Sequence, residues 1–179
     1  QQIGTLEAMN PAEAAAILFA RHYAEQLDQY DPESLKNLRQ YYSDAQVAEI
    51  LDGLLGGGGA VFFSNSGAEA NECAIKLARR YGQSHGGPER FHVLSAWGSF
   101  HGRTLTTLAA TGQPQKQETF QPLPVGFRQV VFGDLDELAR AMDERVCAVM
   151  LEPVQGEGGV QPCPPGYLEA VRALCDERE

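Results

Sequence analysis

Lysine is scarce in this 179-residue chain, which has only Lys36, Lys76 and Lys116. Lysine and arginine together number 14 against 24 acidic residues, a formal net charge of -10. No Lys/Arg stripe offsets that balance. Phosphate backbones and anionic headgroups are therefore repelled, and neither nucleic acid nor a membrane surface is an expected partner. Long apolar runs are missing too: nothing approaches the roughly 20 residues of a membrane span. The N-terminus lacks the basic-then-apolar layout of a signal peptide. Cys73, Cys147, Cys163 and Cys175 form no Cys-x-x-Cys pair and have no His at zinc spacing, so no metal site is expected. Reduced thiols in a cytoplasmic protein are the expectation. The chain starts at Gln1, not Met, and its last residues continue a helical pattern without a Gly or Pro stop. It is expected to be part of a longer chain.

What is present is enough apolar sequence for one globular core. Helical spacing runs from Pro11 to about Leu27 and is broken by Asp31-Pro32. A second amphipathic helix is predicted over Asp44 to Leu55, with Val47, Ile50, Leu51 and Leu54 on one face. Gly56-Gly57-Gly58-Gly59 follows, and Ala60-Val61-Phe62-Phe63 reads as a short buried strand. A strong helix is predicted from Ala68 to Tyr81, and a strand around Phe91 to Ser95. Next come a helix from Thr104 to Ala110, a strand at Val130-Val131-Phe132 and a helix from Leu135 to Met142. The pattern ends with a strand from Val146 to Leu151 and a helix from Pro165 to Glu177. Apolar strands alternating with helices predict an α/β fold, a mostly parallel sheet covered on both faces. Ligands in such sheets sit beyond the C-terminal strand ends.

Three loops carry candidate chemistry, and all are expected to follow strands. Asn65 to Asn71 is a tight turn into a helix start. Ser66, Gly67 and Ala68 would present a hydroxyl and free N–H groups to a phosphate at the positive end of the helix dipole. The same residues equally describe a Ser-capped helix with Glu69 in its first turn. The loop is neither a P-loop nor a three-glycine dinucleotide fingerprint. Trp97 to Thr104 sets Phe100, His101 and Arg103 around Gly98 and Gly102. Phe100 can lie flat on a heteroaromatic ring, and Arg103 can grip a carboxylate with two parallel hydrogen bonds. Taken singly, each also reads as a core Phe, a structural His or a surface Arg. Glu152 to Val160 puts Glu152, Gln155 and Glu157 in a Gly-rich turn after an apolar strand, either a cleft or a solvated acidic loop.

Together these loops resemble the class III aminotransferases, and within them the acetylornithine branch. The likeness runs from about Val61 to the end of the chain. It is carried by Asn65 to Asn71, Ser99-Phe100-His101-Gly102-Arg103-Thr104 with Leu108 to Gln113, Pro122-Leu123-Pro124 with Gly126-Phe127, and Leu151 to Gly159. Before Val61 only Tyr41-Tyr42 is similar to the family, there to an aromatic pair near its substrate pocket. The resemblance implies that residues 60–179 are the N-terminal half of the large domain of a fold-type I pyridoxal-phosphate transferase, after a poorly matched helical segment, 1–59. It also implies the cofactor pyridoxal 5'-phosphate, amino-acid and 2-oxo-acid substrates, a homodimer and a place in arginine biosynthesis.

By the same resemblance Ser66, Gly67 and Ala68 hold the phosphate, Phe100 stacks on the ring and Glu152 supports the cofactor end of the cleft. Arg103 clamps an α-carboxylate, Glu157 is the gate residue that pairs with a distant Arg, and His101 is a structural neighbour. The family's Schiff-base lysine and the Asp that partners the pyridinium nitrogen lie beyond the end of this sequence. Lys76 sits inside a predicted helix, and Lys36 and Lys116 lie in polar segments away from the three loops; none suits the Schiff-base role, so the chain alone is expected to be inactive. The alternatives are a succinylornithine, ornithine or 4-aminobutyrate aminotransferase, or a non-catalytic phosphate-ligand module.

Overall fold

The computed structural model describes residues 10–11, 14–15, 32–54 and 56–178, and the chain divides into two compact units, Gln1–Phe62 and Phe63–Glu179. In the first, helices α1 (Pro32–Leu38) and α2 (Asp44–Leu54) bury Leu38 and Val47 completely, with Tyr42, Ile50 and Leu51 packed against them. Val47, Ile50 and Leu51 recur at i, i+3 and i+4, which places them on one face. Ser43 and Gln46 cap α2 reciprocally, Gln46 Oε1 accepting from Ser43 N at 3.0 Å and Ser43 Oγ from Gln46 N at 3.4 Å. Pro32 opens α1, since at the first helical position its missing N–H costs nothing. The helix predicted from Pro11 to Leu27 lies mostly outside the described residues, as does the side chain of Leu54.

The strand predicted at Ala60-Val61-Phe62-Phe63 is not one. Residues 60–64 have no regular structure, and Phe62 is 66% exposed. An apolar run records a preference for burial, but a strand exists only where a neighbour supplies ladder hydrogen bonds. The first chemical loop therefore follows irregular backbone. It enters helix α3 (Gly67–Gly86), which passes the predicted end at Tyr81. Gly82 is buried there, and a Cβ on it would lie 2.5 Å from the Arg90 carbonyl oxygen and from Cys147 Cβ. This close crossing over the sheet outweighs the helix penalty of glycine, about 1 kcal/mol.

The sheet is three-stranded and parallel in the order β2-β1-β3, with β1 (His92–Ala96) between β2 (Phe127–Val130) and β3 (Val146–Val149). Val93 pairs with Phe127 and Ala96 with Val130 on one side, and Leu94 with Val149 on the other. The parallel α/β expectation holds, but β2 lies earlier than the predicted Val130 to Phe132. The ladder stops where β1 stops, and Val131, at 49% exposed, has already left it. Helices α4 (Leu105–Ala110) and α5 (Pro114–Gln117) follow β1, α6 (Leu135–Ala141) follows β2, and α7 (Tyr167–Arg178) comes last. A short antiparallel pair, β4 (Val154–Gln155) with β5 (Gln161–Pro162), folds the third loop back on itself.

Side chains alternate across β1, so the sheet has two cores. Leu94 packs with Val130, Leu138, Met142, Val146, Tyr167 and Val171, under α6 and α7. Val93 packs with Ile75 and Ala110, under α3 and α4. Leu94 is 0% exposed, and burying a leucine fully contributes about 1.5–3 kcal/mol. Among the described residues no helix is long and apolar enough to cross a membrane.

Candidate active site

The second and third loops leave the C-terminal ends of β1 and β3, which are neighbours. The second is pinned by the segment after α4. Gly98 N donates to Gly112 O at 2.8 Å, Gly112 N to Ser99 Oγ at 3.1 Å, and Gln113 Nε2 to Ser99 O at 3.0 Å. His101 N donates to Thr111 Oγ1 at 3.0 Å, and that hydroxyl donates to Thr107 O at 2.9 Å. This loop is thus held in a fixed shape before any ligand arrives.

The first loop meets it at the start of α3. Ser66 is the N-cap, its Oγ accepting from Glu69 N at 3.2 Å, while Glu69 Oε2 accepts from Asn65 N at 2.7 Å. The first intrahelical bond runs from Ala70 N to Ser66 O at 3.1 Å. The Gly67 and Ala68 N–H groups precede it and lie at the positive end of the helix. Asn71 Nδ2 donates to His101 O at 2.7 Å and ties helix to loop. Gly102 has φ +135°, and a Cβ there would meet Ala68 Cβ at 2.9 Å and Thr107 Oγ1 at 2.6 Å. Only glycine lets the two backbones come so close.

Between them lies an open cavity of about 400 Å³ lined by Gly67, Ala68, Asn71, Phe100, His101, Gly102 and Arg103. Gly67, Ala68, Phe100 and Arg103 therefore share one space. The Arg103 guanidinium carbon lies 5.8 Å from the Phe100 ring centroid. Ser66 is not among the lining residues, and its hydroxyl is engaged in capping. Glu152 reaches the site through Phe100, whose N–H donates to Glu152 Oε2 at 3.0 Å. Burial pushes the Glu152 carboxyl up, and the N–H groups of Phe100 and Gly156 partly offset this.

Glu157 is not a wall of the cavity. Its Oε2 is bonded to Lys116 Nζ and accepts from Gln113 Nε2 at 3.4 Å. The Lys116 ammonium lies 4.9 Å from the same Phe100 centroid. This corrects the placement of Lys116 away from the loops: α5 brings it between the second and third. Hydrogen bonds from Lys116 and Gln113 hold the Glu157 carboxyl below its usual range, and the Arg103 charge acts in the same direction.

Sequence reasoning also undervalued His101 and Gln155. His101 is 5% exposed, its Nε2 has no hydrogen-bond partner, and burial lowers its pKa to about 4. The residue lines the cavity, and burial keeps its imidazole neutral at pH 7. Gln155, 2% exposed, donates from Nε2 to Trp97 O at 3.0 Å and fastens the third loop to the second. The sequence signal for Gln155 was only an amide in a Gly-rich turn after an apolar strand.

The donor set fits an anionic ester on a flat ring. The helix start offers N–H groups, a Cβ on Gly67 would meet nothing within 4 Å, and an aromatic face and a guanidinium stand across the space. Among the described residues no group of three or more His, Cys, Asp or Glu could hold a metal ion.

A parallel sheet with helices on both faces and a cavity of this make-up are consistent with part of a large α/β domain that holds a phosphorylated ligand. Residues 24–179 match the aminotransferase class-III family, and the chain belongs to it. It is 48% identical over 140 residues to an acetylornithine aminotransferase of Myxococcus xanthus, covering 76% of this chain and 34% of that protein. It is 55% identical over 121 residues to that of Xanthomonas campestris pv. campestris, covering 66% and 30%. Of solved structures, the ornithine aminotransferase of Toxoplasma gondii superposes with a TM-score of 0.71 at 29% identity, covering 92% of this chain and 38% of that one. An aminotransferase of Bacillus anthracis does so with a TM-score of 0.71 at 32% identity, covering 93% and 40%. The chain spans roughly a third of the length of the curated relatives it matches.

Proposed function

We propose that the full-length protein is a pyridoxal-phosphate-dependent aminotransferase that moves an amino group from N-acetylornithine to 2-oxoglutarate. One observation carries the reading: Gly67, Ala68, Phe100 and Arg103, from two separate loops, line a single cavity. Bound there, pyridoxal phosphate supplies an aldehyde that accepts the amino group and a ring that withdraws the electrons released at the reacting carbon. The chain's own residues bind and orient. The Gly67 and Ala68 N–H groups, with Ser66, hold the phosphate, and Phe100 lies against the ring. Glu152 fixes the Phe100 backbone and so the height of that ring. Arg103 holds a substrate carboxylate, and Glu157, bonded to Lys116 outside the cavity wall, is the gate residue by family resemblance.

The three lysines are otherwise occupied or distant. Lys36 pairs with Glu33 at 3.1 Å, Lys116 pairs with Glu157, and Lys76 is exposed in the middle of α3. The 179 residues alone are therefore inactive in this reading, and the family's lysine and its Asp come from the rest of the protein. The family resemblance further implies a homodimer in the cytoplasm.

The test is Arg103→Lys in the full-length protein. Loss of the forked grip raises KM for glutamate about tenfold or more while cofactor content stays at the wild-type level. A parallel loss of cofactor would make Arg103 structural and remove its assigned role. Donor kinetics with N-acetylornithine, N-succinylornithine, ornithine and 4-aminobutyrate separate the members of the family. The near-50% identity to acetylornithine aminotransferases, one of them also named a succinylornithine transaminase, favours the first two.

A further inference from the structure

The start of α3 meets the loop after β1 at three points, all on one face of the helix. Ala68, Asn71 and Glu72 stand at i, i+3 and i+4, which puts them side by side. Gly102 comes so near that a Cβ on it would lie 2.9 Å from Ala68 Cβ. The Thr104 hydroxyl donates to Glu72 Oε1 in an exposed contact, and Asn71 Nδ2 donates to His101 O at 2.7 Å in a part-buried one. Water competes for the first of these bonds and much less for the second. Other bonds on this stretch of backbone run elsewhere: Phe100 N donates to Glu152 Oε2 and His101 N to Thr111 Oγ1, both at 3.0 Å. Neither reaches α3. The residue that follows Phe100 is therefore tied to α3 by Asn71, which itself lines the cavity.

Asn71 thus joins the two halves of the site: the helix start with the Gly67 and Ala68 N–H groups, and the loop that presents Phe100. On the function proposed above, which this step rests on, these are the phosphate and ring subsites. The ligand joins its own two halves through a short methylene–oxygen arm of fixed length. Linked groups bind better than either group alone only when the two subsites stand at the spacing of the link. We propose that Asn71 is a positioning residue that sets this spacing, so that the site favours ligands carrying an anionic ester and an aromatic ring on one short arm. Without the Asn71 bond the loop shifts against the helix, and the gain from linkage falls while each subsite stays intact. Asn71 touches no reacting atom in this scheme. It acts through the His101 carbonyl on the loop that carries Phe100.

The test uses the full-length protein freed of cofactor, with Asn71→Ala, Asn71→Leu and Asn71→Gln. Equilibrium binding is measured for pyridoxine 5'-phosphate, which carries both groups and no aldehyde, for pyridoxine and for inorganic phosphate. Thermal unfolding is recorded for each variant. Asn71→Ala and Asn71→Leu, the second similar in volume to Asn, should weaken pyridoxine 5'-phosphate about three- to tenfold, the range of one lost hydrogen bond. Pyridoxine and inorganic phosphate should each change less than about twofold, because neither spans the two subsites. Asn71→Gln keeps a donor on a longer arm. It should also lose affinity for pyridoxine 5'-phosphate alone, and it carries the test if the other two variants unfold. Equal losses for all three probes, or a loss confined to pyridoxine or to phosphate, overturn the proposal, since Asn71 then acts on the fold or on one subsite. Unchanged affinities in the variants, with wild type binding pyridoxine 5'-phosphate more tightly than either part, remove this inference alone. Wild-type protein that binds pyridoxine 5'-phosphate no more tightly than inorganic phosphate removes the functional reading as well.

Discussion

His101 offers a measurement that depends on burial alone. Its imidazole is 5% exposed and its pKa falls from 6.5 to about 4 because burial disfavours the cation. The unfolded chain takes up this proton near 6.5 and the folded chain only near 4. Between those values unfolding binds a proton, so stability is full above the unfolded value and drains away as the pH falls toward 4. At about 1.4 kcal/mol per unit, the loss attributable to this side chain is about 3 kcal/mol. Glu152, whose carboxyl is raised, contributes with the opposite sign in the overlapping range. A difference measurement cancels that contribution. Urea unfolding of wild type and His101→Gln should be compared from pH 7.5 down to pH 4. The wild-type protein should lose about 3 kcal/mol more than the variant over this range. Parallel curves would mean that His101 takes its proton at the ordinary pH, through water or an anion reaching Nε2, and the argument from burial would be wrong.

Three further substitutions test the scaffold. Gly102→Ala forces a Cβ at φ +135° to within 2.9 Å of Ala68 Cβ. It should lower stability by about 1–3 kcal/mol in thermal unfolding and loosen cofactor retention, whereas Gly67→Ala, which meets nothing, should leave stability nearly unchanged. Asp143 receives both Arg128 Nη1 and Nη2, at 3.1 and 2.9 Å, and Arg145 Nη2 at 3.1 Å, which holds its carboxyl well below the usual range. Asp143→Asn should cost about 1 kcal/mol at pH 7. Because the folded value is depressed, that deficit should vanish as the pH drops through and below the ordinary carboxylate range, in matched denaturant titrations.

Much of the fold was legible because local and tertiary preferences agree. Ser66 and Glu69 announce the start of α3, and the apolar runs at Val93-Leu94 and Val146 to Val149 become strands, the first buried on both faces and the second half-buried at the sheet edge. The reading failed where local signal and available partners diverge. Ala60 to Phe63 has the composition of a strand but no ladder, and Val131 has the β-branched residue type but stands beyond the last pairing of β1. The site was legible as three motifs because each is contiguous. Lys116 was not, since its partner Glu157 is 41 residues away and nothing in either segment states that α5 brings them together.

The convergence of the motifs follows from lengths the sequence does state. Gly82 crosses the sheet at its lower edge, against Arg90 just before β1 and Cys147 near the start of β3. From Gly82 back to Ala68 the helix rises about 21 Å at 1.5 Å per residue. The five residues of β1 span about 16 Å. A helix anchored at the lower edge must therefore carry its N-terminus past the upper edge, where the loop after β1 emerges. Parallel pairing of β1 with β3 sends the third loop out at the same edge. The anion-holding helix start, the aromatic–guanidinium loop and the acidic loop are thus neighbours by arithmetic. What remained for side chains to decide was how closely they approach, and Gly102, Gln155 and Lys116 set that.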